Sequence, residues 1–185
     1  MPDPVSVRLV SHADLGPWRD GLQDLFDAEY LGSHGPWDPD QPYGYAPAEL
    51  HVLAHVRGHV VGHVGVQSRV ISVGDQEVRV GGVGGVLVRT PGRGEGLGRR
   101  LLEDLARVLV DPAGVELGYL GCREEVVPFY TACGWTRVAV RESSRSILDG
   151  SPVVQEPGPP VLVHPARRDV STWPSGDVDL RGRPW

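Results

Sequence analysis

Residues 93 to 100 read RGEGLGRR, and they stand between a run of strand formers, Val83 to Val88, and a helix-periodic stretch. A chain that runs strand, glycine-spaced turn, helix must cross back to its sheet, which points to an α/β architecture. The apolar residues Leu97, Leu101, Leu102, Leu105, Val108 and Leu109 recur at spacings of three, four and seven, so the helix begins at the loop. Glycines at 94, 96 and 98 keep side chains away from the main chain and admit dihedrals closed to other residues. The free amides of the first helical turn and the helix dipole then favour a phosphate there. No Lys-Ser/Thr pair follows, as in a Walker loop, and no acidic residue on a second strand completes a dinucleotide fingerprint. Both ATP and NAD are thereby disfavoured.

The rest of the chain supplies the sheet. Val5 to Val10 alternates as a first strand, Ser11 and Asp14 have the spacing of a cap, and Trp18, Leu22, Leu25 and Phe26 mark a helix. Residues 31 to 47 are too rich in Gly and Pro for regular structure, yet they hold Trp37, Asp38, Asp40, Tyr43 and Tyr45, which suits a substrate-side loop. His51 to Val88 is Val-rich with turn signals at Arg57-Gly58 and Gly74-Asp75, a three-stranded antiparallel meander. A helix over 98–110 crosses to a parallel strand over 115–122, and a short helix over 124–133 ends at Gly134. Strands are expected near 135–140 and 160–164, with a Pro-rich excursion between them. The tail, 173–185, is turn-rich, and Asp177-Val178-Asp179-Leu180 has strand alternation.

His51, His55, His59 and His63 recur every fourth residue, which on a helix would line one face. The Arg57-Gly58 turn instead makes a hairpin in which 52 faces 63 and 51 faces 64. On that register His51 and His55 point one way and His59 and His63 the other, so no metal is expected. Two cysteines, Cys122 and Cys133, make no disulfide framework, and no charged-then-apolar leader precedes the first strand, which fits a reducing cytoplasm. A formal charge of −6 speaks against nucleic acid and for a cationic partner. No apolar stretch approaches a membrane span. The 185 residues, 40% hydrophobic, suffice for one domain over 1–185 with an extended C-terminal region over 142–185.

The spacing Arg93-x-x-Gly96-x-Gly98 after a strand resembles the acyl-CoA loop of the GCN5-related N-acetyltransferase superfamily. About thirty residues on, Pro128-Phe129-Tyr130-Thr131-Ala132-Cys133-Gly134-Trp135 resembles its helix-to-strand segment. Within the superfamily the pattern is most similar to aminoglycoside 2′-N-acetyltransferases, in Gly62-His63-Val64-Gly65 with Arg69, in Gly82 to Val88, in Glu116-Leu117-Gly118-Tyr119-Leu120, and in a tail ending at Trp185. Trp173-Pro174-Ser175-Gly176 also resembles the nodulation acyltransferases that acylate a chitooligosaccharide amine. The resemblance implies a mixed, mostly antiparallel sheet with flanking helices and a V-shaped cleft for acetyl-CoA. It implies that Val86, Leu87 and Val88, the loop residues Arg93, Gly94, Glu95, Gly96, Leu97, Gly98 and Arg99, and Tyr130 hold the coenzyme. The implied chemistry is direct attack of an amine on the thioester, with the Val88 amide polarising the carbonyl, Tyr130 protonating the thiolate, and the Trp185 carboxylate beside the acceptor amine. A homodimer is also implied.

Departures from that pattern bear on the acceptor. Gly84 stands where the resistance enzymes have a proton-relaying glutamate, Gly121 followed by Cys122 where they have a serine, and Arg183 at a tail position that is commonly aspartate, with Asp177 and Asp179 close by. Asp38, Asp40, Gly84, Cys122, Asp179, Arg183 and Trp185 are therefore the expected substrate-side residues. An acceptor with few amines and a carboxylate, such as kasugamycin, suits a site that has lost an acid and gained Arg183. A covalent role for Cys122 is not needed in a sequential mechanism. A non-catalytic acyl-CoA sensor and a peptide acetyltransferase are the alternatives. The aromatic 31 to 47 loop and the long tail would enclose a small ligand rather than leave an open groove.

Overall fold

The computed structural model describes residues 4–90 and 93–185. Strand β1 (Ser6–Ser11) leads into helix α1 (Arg19–His34), and the meander is β2 (Leu50–Val56), β3 (His59–Val73) and β4 (Gln76–Val88). Helix α2 (Leu97–Val110) crosses to β5 (Leu117–Gly121), followed by α3 (Val127–Ala132), β6 (Thr136–Val138), β7 (Glu142–Arg145), β8 (Pro152–Val154), β9 (Val161–Pro165) and β10 (Val178–Asp179). The strands form one mixed sheet in the order β6-β9-β5-β4-β3-β10-β7-β8, with β2 and then β1 on the first half of β3. Only β4 with β5 and β10 with β7 are parallel, so the expected mixed, mostly antiparallel α/β sheet is present. Among the described residues no helix is long and apolar enough to cross a membrane.

The two faces of the sheet have separate cores. Helix α2 turns Leu101, Leu102, Leu105, Val108 and Leu109 inward onto Val52, Ala54, Val64, Val66 and Val83, with Tyr130 and Trp135 closing the cluster. Its charged residues stay on the solvent side, the pattern its periodicity requires. On the other face α1 seats Leu22, Leu25 and Phe26 against Leu53, Val60 and Leu87. Farther along that face the tail covers the sheet, joining Leu180, Trp173 and Trp185 to Ile71, Val80 and Tyr119.

One register shift and one longer helix correct the sequence expectations. In β2–β3, Val56 faces His59 and His55 faces Val60, but Ala54 faces Gly62 and Leu53 faces His63, leaving Val61 as an extra residue. That bulge moves the pairing by one, so Val52 faces Val64 rather than 63, and His51 and His63 share a face instead of opposing each other. Helix α1 also runs on to His34, so the irregular segment begins at Gly35 rather than residue 31. Strands β7 and β8 were not expected: both lie within the Pro-rich excursion, β7 is polar and β8 is three exposed residues, so neither carries a buried alternating face.

Candidate active site

Strands β4 and β5 pair only through Val80–Gly82 and Leu117–Tyr119. Beyond Gly82 the β4 edge therefore runs for about 20 Å, at ~3.3 Å per residue, without a β5 partner. A second bulge lies within this free edge: Leu87 faces His63 and Gly84 faces Gly65, so Gly85 and Val86 together oppose Val64. Gly85 has φ +59, a left-handed conformation, and a Cβ there would sit 3.1 Å from the His63 ring and 3.2 Å from Phe26. The N–H of Arg89 donates to Val61 O at 2.9 Å. Strand alternation then turns the Val88 and Val86 amides away from β3 and into the gap.

The glycine-spaced loop stands at the end of this edge. Gly94 and Gly96 have φ of +86 and +80 with nothing near their Cβ positions, and Gly96 caps α2 without a side-chain bond. The N–H of Arg100 is the one that reaches Gly96 O, at 3.1 Å, so the amides of Leu97, Gly98 and Arg99 have no intrahelical acceptor. Gly98 serves close approach instead, since its Cβ would lie 3.2 Å from Phe129 and 3.8 Å from Val88. The end of β4, the start of α2 and α3 thus converge. Open glycine backbone, free amides and a helix N-terminus fit a pyrophosphate. Arg93 is turned inward, donating to Val88 O at 2.9 Å and pairing with Glu29 at 2.9 Å. A hydrogen bond from Thr90, ahead of the Arg93 contacts, holds the Glu29 carboxyl below its ordinary value.

Tyr130 is buried on α3 and packs edge-on against Phe129 and Trp135, at ring distances of 5.2 and 6.2 Å. Burial raises its phenol well above the ordinary value, with Cys122 and Cys133 nearby adding to the shift, so the hydroxyl keeps its proton. Burial and Glu124 likewise raise Cys122 despite Arg137, the opposite of what a nucleophilic thiol needs.

The acceptor side is built from the tail. Trp185 lies across β4: a Cβ on Gly82 would fall 1.9 Å from two indole carbons, and one on Gly84 only 2.8 Å from the Trp185 carbonyl carbon. Arg69 holds the tail by donating to Leu180 O and Arg183 O at 3.1 and 2.8 Å and by stacking over the indole at 4.2 Å. Gln67 Oε1 accepts from both Arg69 and the Trp185 indole, at 2.7 and 2.9 Å. Burial, and then the neighbouring Arg183, lower the Arg69 value. Ala46 N–H donates to Pro184 O at 2.8 Å, which brings the aromatic loop and the tail together.

Other expected substrate-side residues are engaged in ion pairs. Asp38 and Asp40 each lie 3.4 Å from Arg19, and Asp40 is 3.0 Å from His12. Asp179 pairs with Arg145 at 2.8 Å and sits opposite Ser72, near the β3–β4 turn and seven residues along β3 from the Gly65 that faces Gly84. Trp37 is buried, stacked on Phe26 at 4.7 Å, and serves the core rather than an open wall.

Glu142 carried no signal in the sequence, and Tyr43 and the histidines have surroundings that the sequence did not show. Glu142 accepts a short hydrogen bond from the buried Tyr119 hydroxyl, and burial raises its carboxyl value. Tyr43 holds φ +53, and its buried hydroxyl has no partner among the described residues. Burial, then Asp27, push that phenol up to about 12. The histidines form a hydrogen-bonded series that ends on Gly85, and no described group of His, Cys, Asp and Glu has a metal-binding arrangement.

Solved structures share this architecture. The Escherichia coli GNAT family N-acetyltransferase YhbS, in complex with CoA, superposes with a TM-score of 0.63 at 18% identity over 97% of this chain and 93% of that one. Escherichia coli ElaA gives 0.60 at 19% identity over 87% and 99%, and an acyl-CoA N-acyltransferase from Pseudomonas aeruginosa gives 0.59 at 17% identity over 87% and 99%. These likenesses establish the N-acetyltransferase fold. No curated protein matches the sequence. The family described as Nodulation protein A (NodA) matches residues 11–184, nearly the full chain and including the tail that closes the cleft, and the chain belongs to that family.

Proposed function

We propose that this protein is an acyl-CoA-dependent N-acyltransferase that moves an acetyl group to a primary amine of a small amino sugar. The observation behind it is the free edge of β4, which turns the Val86 and Val88 amides into a gap bounded by the α2 N-terminus and the tyrosine helix α3. In this reading Val86, Leu87 and Val88 align the pantetheine, and the loop of Arg93, Gly94, Glu95, Gly96, Leu97, Gly98 and Arg99 holds the pyrophosphate. A main-chain amide of this edge near Val88 stabilises the oxyanion, and Tyr130 protonates the departing thiolate. YhbS, which shares this fold, is solved in complex with CoA.

The acceptor reaches the thioester past Trp185, Pro184 and the aromatic loop. Gly84 carries no carboxylate and Trp185 fills the space above it, so the amine's proton leaves through another group. Arg183 beside Arg69 supports an acceptor with a carboxylate, and an aminoglycoside of the kasugamycin type has one. Acylation of a chitooligosaccharide amine is the second reading, favoured by the family match and by Trp173 to Gly176. Thiol release from acetyl-CoA should be followed with kasugamycin, gentamicin, and a chitooligosaccharide bearing one free amine. Turnover of kasugamycin, with raised kasugamycin tolerance on expression, supports the first reading. Turnover of the chitooligosaccharide alone selects the second, and brisk gentamicin turnover without kasugamycin turnover removes the role given to Arg183.

A further inference from the structure

A carboxylate, three imidazoles and a peptide carbonyl form a continuous line on the α1 face of the sheet. Asp40 Oδ1 lies 3.0 Å from His12 Nε2, His12 Nδ1 lies 3.1 Å from His51 Nε2, and His51 Nδ1 lies 2.9 Å from His63 Nε2. His63 Nδ1 lies 2.7 Å from Gly85 O. The protons in this line can be counted. A carbonyl oxygen only accepts, so His63 donates from Nδ1 and must accept at Nε2. His51 therefore donates from Nδ1 and accepts at Nε2, and His12 donates from Nδ1. At the outer end His12 Nε2 meets a carboxylate oxygen, which also only accepts. Four contacts need four protons, and three neutral imidazoles carry three.

The line is fully hydrogen-bonded only when it holds one added proton. Burial, reinforced by His63, lowers His51 to about 3, and burial lowers His63 to about 4 despite the Gly85 contact. The inner rings stay neutral, and the fourth hydrogen belongs to the outermost contact, between His12 Nε2 and Asp40 Oδ1, where Arg19 also reaches Asp40. Phe26 packs edge-on to His63 at 5.2 Å, and both inner rings are buried.

The inner terminus gives the line a use. The Gly85 carbonyl and the Val86 N–H belong to one peptide group, and that group is the bulge on the free edge of β4. A hydrogen bond donated to the carbonyl draws electron density from the nitrogen and strengthens its N–H as a donor, an effect of about 10–30% per bond in a chain. We propose that Asp40, His12, His51 and His63 polarise the Gly85–Val86 peptide, making the Val86 amide a strengthened donor to the thioester carbonyl of the acyl donor. The assignment rests on the cleft being the acyl-CoA site. None of the four side chains touches the reacting atoms, so all four are positioning residues.

Two measurements test this. Nitrogen-15 spectra of the imidazoles in the intact protein should show His51 and His63 protonated at Nδ1, and a proton on Nε2 of His63 would overturn the proposal. Infrared spectra of bound acetyl-CoA, carbon-13 labelled at the carbonyl, should show a lowered stretch that relaxes towards the free value in Asp40→Asn and His12→Gln. Both substitutions lie at the outer end and leave the buried rings in place. With an accepted amine, kcat should fall about tenfold in each with little change in KM for acetyl-CoA, short of the roughly 10²- to 10³-fold that loss of a whole oxyanion donor brings. Unchanged carbonyl stretch and kcat in both variants would refute the role, even if their melting temperatures fell. Failure of the wild type to bind CoA by calorimetry would instead overturn the acyl-transfer reading, which separates the two failures.

Discussion

At the residue scale the site depends on side chains held in one protonation state by their surroundings. Tyr130 is the clearest: buried under Phe129 and Trp135, its phenol is far harder to ionise than in water. A group that stays protonated can give its proton to a thiolate as the thioester breaks. Tyr130→Phe should lower kcat by on the order of 100-fold, the scale of a single proton-transfer contribution, with the calorimetric Kd for CoA unchanged. A full-rate Phe variant would give the proton to another donor. Tyr130 was legible in the sequence because the Phe-Tyr pair and Gly134-Trp135 flank a short helix. The functional reading of Asp38 and Asp40 was only half legible: their acidity was plain, but their pairing with Arg19 and His12 joins residues up to 28 positions apart. Glu142 was invisible for the same reason, since its one strong partner, Tyr119, lies on a different strand of the sheet.

At the element scale two bulges and one tail distinguish this site. The extra residue Val61 puts His51 and His63 on one face, and the extra residue on β4 turns the Gly85 carbonyl towards His63. Turn signals located the hairpin at Arg57-Gly58 correctly, but a bulge adds one residue without any composition mark, so beyond it the register was off by one and His63, expected opposite His51, joins it on one face, while His51, His55 and His59 point as expected. The alternation over 177–180 could be read as a strand, which forms at Val178–Asp179, yet the tail's return across Gly82 and Gly84 was not legible. It depends on Arg69 donating to two tail carbonyls and stacking on the Trp185 indole. Gly82→Ala should therefore expel Trp185, because a Cβ would lie 1.9 Å from the indole and the adjacent β-sheet backbone cannot yield. The expected result is loss of acceptor turnover with CoA affinity retained and a drop in Trp fluorescence burial. Unaltered acceptor kinetics would show that the tail does not line the acceptor path.

At the scale of the whole molecule the buried imidazoles couple folding to pH. His51 and His63 are lowered from 6.5 to about 3 and about 4, so the folded state favours their neutral forms. Their contribution is present above pH 6.5 and is lost as pH falls, down to about 4 for His63 and about 3 for His51, because the unfolded chain binds protons that the folded one refuses. Glu142, raised by burial, works in the opposite direction, while the lowered Glu29, Asp149 and Asp169 act only near and below their ordinary values. Melting temperature should therefore fall steadily from pH 6.5 to 4, with a shallower fall in a His51→Gln, His63→Gln double variant. A flat wild-type profile would contradict the buried, neutral rings. The sequence by itself determined the sheet, the crossover helix, the phosphate-type loop and the tyrosine helix, because each is set by periodicity, glycine and turn chemistry acting over a few neighbouring residues. Tertiary structure alone decided the histidine line, the closure of Gly84 by Trp185 and the meeting of loop and tail at Ala46 and Pro184. Those contacts join residues twelve to more than a hundred positions apart, and a one-residue bulge is enough to switch which face they occupy.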